Sequence, residues 1–324
     1  MKRMEIFGTL KKDMDAVERS LYACIESESA SLGEAAMHLL KAGGKRLRPA
    51  FVLLGGKFGT YELERLKKVA VPLELIHMAS LVHDDVIDNA QTRRGQLTVK
   101  AKWDNRIAMY TGDYIYAKAL EMVSDLEDPR IHRILAKAMV EMSIGEMEQI
   151  RDFFNTRQSV RRYLLRIRRK TALLIAVSCQ LGALAAGASV EVARELYNYG
   201  YNVGMAFQVR DDLLDLCGTE KQIGKPPGSD IRQGNITIPV LYALQEERLR
   251  EPLLQEIGRI HQENGRTEVG AAVAMITGSS GVARAEELAD RYTQKALAAL
   301  ERLPDIRARR HLRDIAMFVS RRTY

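Results

Sequence analysis

Apolar residues recur at three- and four-residue spacing along most of the chain. Leu164, Leu165, Ile167, Leu173, Leu174 and Val177 are one such run, and this spacing puts apolar side chains on one face of a helix. Long stretches without turn residues predict helices over roughly 103–125, 130–154, 158–186, 190–216 and 280–302. No β-branched run alternates with the two-residue period of a strand. Helix breakers are sparse. Gly43-Gly44 ends an early helix, and Pro49 suits the first turn of the next. Pro72 should kink or restart the helix around it. With no linker or short repeat, the pattern predicts one all-α domain spanning residues 1–324, built from about ten or more helices.

Two of these helical stretches end in the same acidic signature. Met78-Ala79-x-x-Val82-x-Asp84-Asp85-x-x-Asp88 is matched by Met205-Ala206-x-x-Val209-x-Asp211-Asp212-x-x-Asp215. On a helix, the three carboxylates of each copy fall within about a quarter of the circumference. Like charges so placed repel by about 4 kcal/mol per pair at 4 Å in a moderate dielectric. Two such clusters call for cations, and an all-carboxylate donor set suits magnesium held jointly with substrate phosphates. Zinc is not indicated, because no Cys or His pairs occur at ligand spacing.

Composition narrows the picture only slightly. No apolar run reaches the length of a membrane span, and the N-terminus lacks the apolar core of a secretory signal. Cys24, Cys179 and Cys217 have no metal or redox spacing, so a reducing cytoplasm is the expected compartment. The net charge of +7 suits nucleic acid, a membrane surface or a phosphorylated substrate. A single Trp and no aromatics interleaved with the basic runs argue against nucleic acid.

A magnesium–phosphate site also needs basic groups. Candidates are Lys45, Arg46 and Arg48 after the double glycine, Arg93 and Arg94 after the first acidic copy, Lys170, and Lys225 in the late loop 224–230. Arg grips phosphate through two parallel N–H groups, whereas Lys acts as a point charge. His77 lies two turns before Asp84 on the same face, and Gln208 one turn before Asp211 and Asp212. Taken singly, each has a plainer reading: surface charge, helix-dipole complement or core histidine. The run Arg161, Arg162, Arg166, Arg168, Arg169, Lys170 reads mostly as a solvated face, Lys170 excepted. The C-terminal arginines from Arg307 to Arg322 read as surface.

Taken together and in order, Gly43-Gly44-Lys45-Arg46-Leu47-Arg48-Pro49, His77, the first acidic copy with Arg93-Arg94-Gly95, Lys170-Thr171, Phe207-Gln208 with the second copy, and Gly224-Lys225 resemble the trans-isoprenyl diphosphate synthases. The resemblance covers roughly residues 40–245. It implies an all-helical bundle around a deep central cavity, and condensation of an allylic diphosphate with isopentenyl diphosphate. It implies that Asp84, Asp85, Asp88, Asp211 and Asp215 bind magnesium, three ions with the allylic diphosphate, and that Asp212 belongs to the catalytic group. It implies that Arg93, Lys170 and Lys225 hold the allylic diphosphate, and that Lys45, Arg48, His77 and Arg94 hold the isopentenyl one. Thr171 and Gln208 would set oxygen dipoles near the allylic cation. Asn235 stands where family members often have Lys, so it receives no diphosphate role.

Short-chain members of that family carry an aromatic residue four or five positions before the first Asp. Ala79 and Ser80 stand there instead, which implies a long polyprenyl product. Among long-chain members the chain most resembles the larger, catalytic component of bacterial two-component heptaprenyl diphosphate synthases. That kinship implies farnesyl diphosphate as primer, a smaller non-catalytic partner subunit, a role in supplying menaquinone side chains, and at most peripheral membrane contact. A self-sufficient homodimer making hexaprenyl to decaprenyl diphosphate is the rival. A terpene cyclase would lack the second acidic copy and the Gly43–Arg46 motif.

Overall fold

The computed structural model describes residues 10–27, 29–220, 226–263 and 268–321. Among them the chain is helical except for one two-stranded hairpin. It falls into two compact units. The first comprises residues up to Ala136 with Val177–Tyr197 and Leu303–Leu312. The second comprises Lys137–Ala176, Asn198–Arg302 and the residues from Arg313 onward.

The first unit contains α1 (Lys11–Cys24), α2 (Ala30–Lys41), α3 (Leu47–Gly56) and α4 (Leu63–Ile87). The hairpin β1–β2 (Thr92–Arg93, Gln96–Leu97), α5 (Val99–Lys102) and α6 (Asn105–Ser124) follow. Helix α4 is the buried axis of the unit and packs on α3 and α6. It runs through Pro72 without the restart that was one of the two expected outcomes. A proline inside a helix costs about 3 kcal/mol. Val71, Leu73, Leu75 and Ile76 around it are nearly inaccessible, and burying each is worth about 1.5–3 kcal/mol, so tertiary packing outweighs the lost hydrogen bond.

The end of α4 is sharply defined. Asn89 takes a left-handed conformation (φ 52°). Its N–H bonds the Val86 carbonyl at 3.3 Å, and the Ala90 N–H bonds the Asp85 carbonyl at 2.9 Å. This is a Schellman closure with Asn in place of the usual Gly. The next turn, Arg94-Gly95, has positive φ at both residues, 54° and 78°. That is the backbone of a two-residue type I′ hairpin, which pairs Thr92 with Leu97 and Arg93 with Gln96. The sequence suggested only a polar exit closed by Gly95.

In chain order come α7 (Pro129–Arg151), α8 (Val160–Ile167), a π turn (Arg168–Ala172), α9 (Leu173–Ala185) and α10 (Val190–Cys217). After them come α11 (Ser229–Arg232), α12 (Ile238–Ala243), α13 (Glu247–Gln262), α14 (Gly270–Thr277), α15 (Gly281–Leu300) and α16 (Arg307–Ser320). The expected stretch 158–186 is therefore interrupted at Arg168–Ala172. Two glycines let neighbouring helices press on that turn. A Cβ on Gly204 would lie 2.6 Å from the Ala172 Cα, and one on Gly145 would lie 2.7 Å from the Arg169 Cβ.

Apart from the exposed Arg161, the arginine run of α8 and the π turn is not a solvated face, a second correction. Arg166 is buried and bonds Gln158 Oε1 at 3.0 Å and the Ile236 carbonyl at 3.2 Å. Arg162 pairs with the buried Asp152 at 2.6 Å. Arg168 and Arg169 share Glu141, at 2.6 and 3.0 Å, and Arg169 also reaches Glu148 at 2.5 Å. Carboxylates supplied by α7 and the residue after it neutralise charges that a helical wheel alone assigns to water.

Candidate active site

The last turn of α4 carries the first acidic copy. Asp84 and Asp85 are buried, and Asp88 is half-buried at the C-cap, where its N–H bonds the Asp84 carbonyl at 2.8 Å. The Schellman closure and hairpin return Arg93 to this turn, where its Nε and Nη2 both donate to Asp85 Oδ1, at 2.8 and 2.7 Å. Burial raises the Asp85 carboxyl above its ordinary range even against the pull of Arg93, and Asp84 pushes the same way. On the other side of α4, His83 contacts α6. Its Nε2 lies 3.2 Å from the Met109 carbonyl and 3.4 Å from Asp113, in space that a Cβ on Gly112 would fill.

A cationic group lies beside this turn, within the same unit. The tight turn residue Arg94 lays its guanidinium against Gly44, where a Cβ would come within 2.7 Å of Nη1. Burial pushes Arg48 down to about 10; Glu74 counters this, and Arg94 adds to it. Burial, then the charges of Arg48, Arg94, Arg93 and Arg46, hold the His77 imidazole well below its usual range, so it is neutral at pH 7. Lys45 is exposed at the turn before α3. Arg48 and Arg94 thus act electrostatically on His77, and their combined positive charge suits an anion.

In the second unit, the acidic copy near the end of α10 is differentiated. Asp211 is exposed, whereas Asp212 and Asp215 are buried. Asp212 accepts hydrogen bonds from Tyr163 at 2.5 Å and Gln208 Nε2 at 2.8 Å, and Thr171 donates to Gln208 Oε1 at 2.7 Å. Burial lifts the Asp212 carboxyl to about 7 against those donors. Asp215 holds the chain that follows: Oδ2 accepts from the Asp230 N–H at 3.0 Å, and its carbonyl accepts from Gly228 at 2.8 Å. Lys170 sits in the π turn and donates to Glu146 at 2.7 Å. Lys225 lies outside the described residues.

Tyr163 has no counterpart in the sequence reading. Its only signal was a tyrosine on the apolar side of an arginine-rich helix, which reads as ordinary core. Removing its hydroxyl strips a donor from a buried carboxylate. Tyr163→Phe is expected to lower the free energy of unfolding by about 1–3 kcal/mol, measured by urea denaturation; an unchanged midpoint and slope would contradict the assigned bond.

Among the described residues, no three His, Cys, Asp or Glu side chains enclose an ion by themselves. Magnesium held through a few carboxylates, water and substrate phosphate requires no such enclosure. The oxygen-only carboxylates of Asp84, Asp85 and Asp88, all within the first unit, have the chemistry that mode needs. No described helix is long and apolar enough to cross a membrane.

A family model described as polyprenyl synthetase matches residues 29–276. Over its full length the chain is 54% identical to the heptaprenyl diphosphate synthase component 2 of Geobacillus stearothermophilus, with all of both chains covered. It is also similar to the crystal structure of heptaprenyl diphosphate synthase from Staphylococcus aureus, with a TM-score of 0.89 and 38% identity over 97% of this chain and 98% of that one. A polyprenyl synthase from Caulobacter crescentus, complexed with calcium and isoprenyl diphosphate, gives a TM-score of 0.91 and 34% identity over 99% and 98% of the two chains.

Proposed function

The chain belongs to the polyprenyl synthetase family, and from that premise we propose that it extends farnesyl diphosphate with successive isopentenyl diphosphates to all-trans heptaprenyl diphosphate. It is a chain-elongating prenyltransferase with the all-α isoprenoid-synthase fold. The observation that carries the substrate assignment is the Arg48–His77–Arg94 group, set against Gly44 and beside a separate acidic turn. Two diphosphates with different partners require two such environments, one cationic and one able to share cations.

Lys45, Arg48, His77 and Arg94 hold the isopentenyl diphosphate. Neutral His77 donates one N–H to it, and the guanidiniums supply the charge. Asp84, Asp85, Asp88, Asp211 and Asp215 would hold the magnesium ions, three of them with the allylic diphosphate bound. When bound, magnesium offsets the negative charge that builds on the departing diphosphate. Arg93 and Lys170, which face Asp85 and Glu146, turn part of their hydrogen bonding to the same diphosphate. The Thr171–Gln208–Asp212 chain fixes two oxygen dipoles, and a preorganised dipole stabilises a developing allylic cation without reorganising. The isopentenyl double bond then attacks that cation, and the released diphosphate accepts the proton lost in forming the new allylic product.

The relative's name, component 2, implies a companion subunit, and a smaller non-catalytic protein is the partner of this chain. Its product serves menaquinone side-chain synthesis in the cytoplasm. The test is product length from radiolabelled isopentenyl diphosphate, farnesyl diphosphate and magnesium, with the purified chain alone and then with the smaller subunit. Heptaprenyl product only in the mixture is the expected result. Full activity of the chain alone establishes instead a self-sufficient homodimer.

A further inference from the structure

Arg46 stands between two residues assigned to a diphosphate, yet its surroundings differ from theirs. It is 7% exposed. Its Nε and Nη2 grip both oxygens of Glu18 on α1, at 2.8 and 2.9 Å. Nη2 also donates to the Leu40 carbonyl at the end of α2, at 3.2 Å. Nη1 faces Glu74 on α4 at 3.2 Å and the Met78 sulfur at 3.9 Å. A guanidinium has five N–H groups, and here all five are directed at protein acceptors. None is left for a phosphate oxygen.

The backbone at Arg46 carries a cost. It caps α3 in a left-handed conformation, φ 47° and ψ 41°, which is sterically unfavourable for an L-residue. Glycine would remove that strain, and the chain already has two glycines just before it, but glycine would remove the guanidinium too. The strain is thus tied to the side chain's grip on three helices. The next turn carries Arg48, whose charge interacts with Glu74, the carboxylate that also faces Arg46.

We propose that Arg46 is a positioning residue: clamped by Glu18, Glu74 and the Leu40 carbonyl, it fixes the Gly43–Arg48 turn so that Lys45 and Arg48 meet the isopentenyl diphosphate, and it does not touch that diphosphate itself. This rests on the assignment of the Arg48–His77–Arg94 group to isopentenyl diphosphate.

Glu18→Gln gives the decisive sign. Removing a negative charge near an anion site by electrostatics alone tightens anion binding or leaves it unchanged. Loosening the clamp weakens it. Steady-state kinetics of the purified protein, with its smaller subunit where that is required, should show KM for isopentenyl diphosphate rising about fivefold to tenfold in Glu18→Gln and in Arg46→Lys, since a lysine cannot reproduce the two-pronged grip. KM for the allylic diphosphate and product length should stay at wild-type values, and the thermal midpoint is followed to exclude general unfolding. Arg46→Lys impaired with Glu18→Gln unimpaired or improved would make Arg46 a direct ligand and overturn the proposal, as would wild-type KM in both. A parallel loss of affinity for both diphosphates would reduce the clamp to general stability. Arg48→Gln is the control: if it leaves KM for isopentenyl diphosphate unchanged, the site assignment fails, separately from the clamp.

Discussion

Asp84→Ala is expected to cut turnover by about a hundredfold to a thousandfold, the usual cost of removing one element of electrostatic stabilisation from a transition state. Asp211→Ala is expected to do the same from the other acidic copy. The two differ in setting. Asp84 is buried beside Asp85, whereas Asp211 is exposed on α10, so a shared loss of turnover would reflect their common chemistry rather than common packing. Stability should move the other way from activity. Without magnesium, Asp84 is one of three carboxylates crowded on a single helix turn, and its removal relieves repulsion with Asp85 and Asp88. The thermal midpoint of metal-free Asp84→Ala should therefore equal or exceed that of the unaltered protein. Its upward shift on adding magnesium and inorganic diphosphate should disappear. Near-normal turnover in both variants would end the assignment of these aspartates.

Ser80→Phe is expected to shorten the product markedly, with a smaller effect on the first condensation. Ser80 lies one turn before Asp84 on α4, is half-buried, and bonds only its own helix through the His77 carbonyl at 2.8 Å. A ring there blocks space along the helix without breaking a hydrogen bond to another element. Ala79, the other candidate, has no accessible surface at all. Enlarging it overpacks a filled core, at about 1–3 kcal/mol, and confuses chain length with folding. Chromatography of the dephosphorylated products decides the matter, since an unchanged length spectrum in a folded Ser80→Phe protein places the floor of the product channel elsewhere.

The sequence made the helices and the acidic turns legible because both rest on local rules. Apolar spacing over 190–216 anticipated α10 within a residue or two, and the D-D-x-x-D copies fell at helix ends as expected. The basic motif was legible as a set, but the sequence could not divide labour within it. Lys45, Arg46 and Arg48 look alike in one dimension; only the approach of Glu18, Glu74 and the Leu40 carbonyl separates a clamp from ligands. The same limit applies to Asp212. Its partner Tyr163 is 49 positions away, and no local pattern announces a buried hydroxyl aimed at a carboxylate. Pro72 misled as to a restart, for the complementary reason: a local penalty was outweighed by burial that local rules do not see. Arg94-Gly95 was legible as a break but not as a hairpin, because the usual Asn-Gly or Asp-Gly signal was absent.

The π turn at Arg168–Ala172 has one further implication. Each residue added to a helix rotates everything after it by about 100°, and a π turn accommodates an extra residue while keeping the axis continuous. The wheel drawn for α8 is consequently out of phase with that of α9. Deleting any one residue of the turn would restore uninterrupted helical winding while swinging Lys170, Thr171 or their successors to a different azimuth. Insertions and deletions in this five-residue window therefore act as changes of angle rather than of length, and a chain that tolerates them at its loops should not tolerate one here.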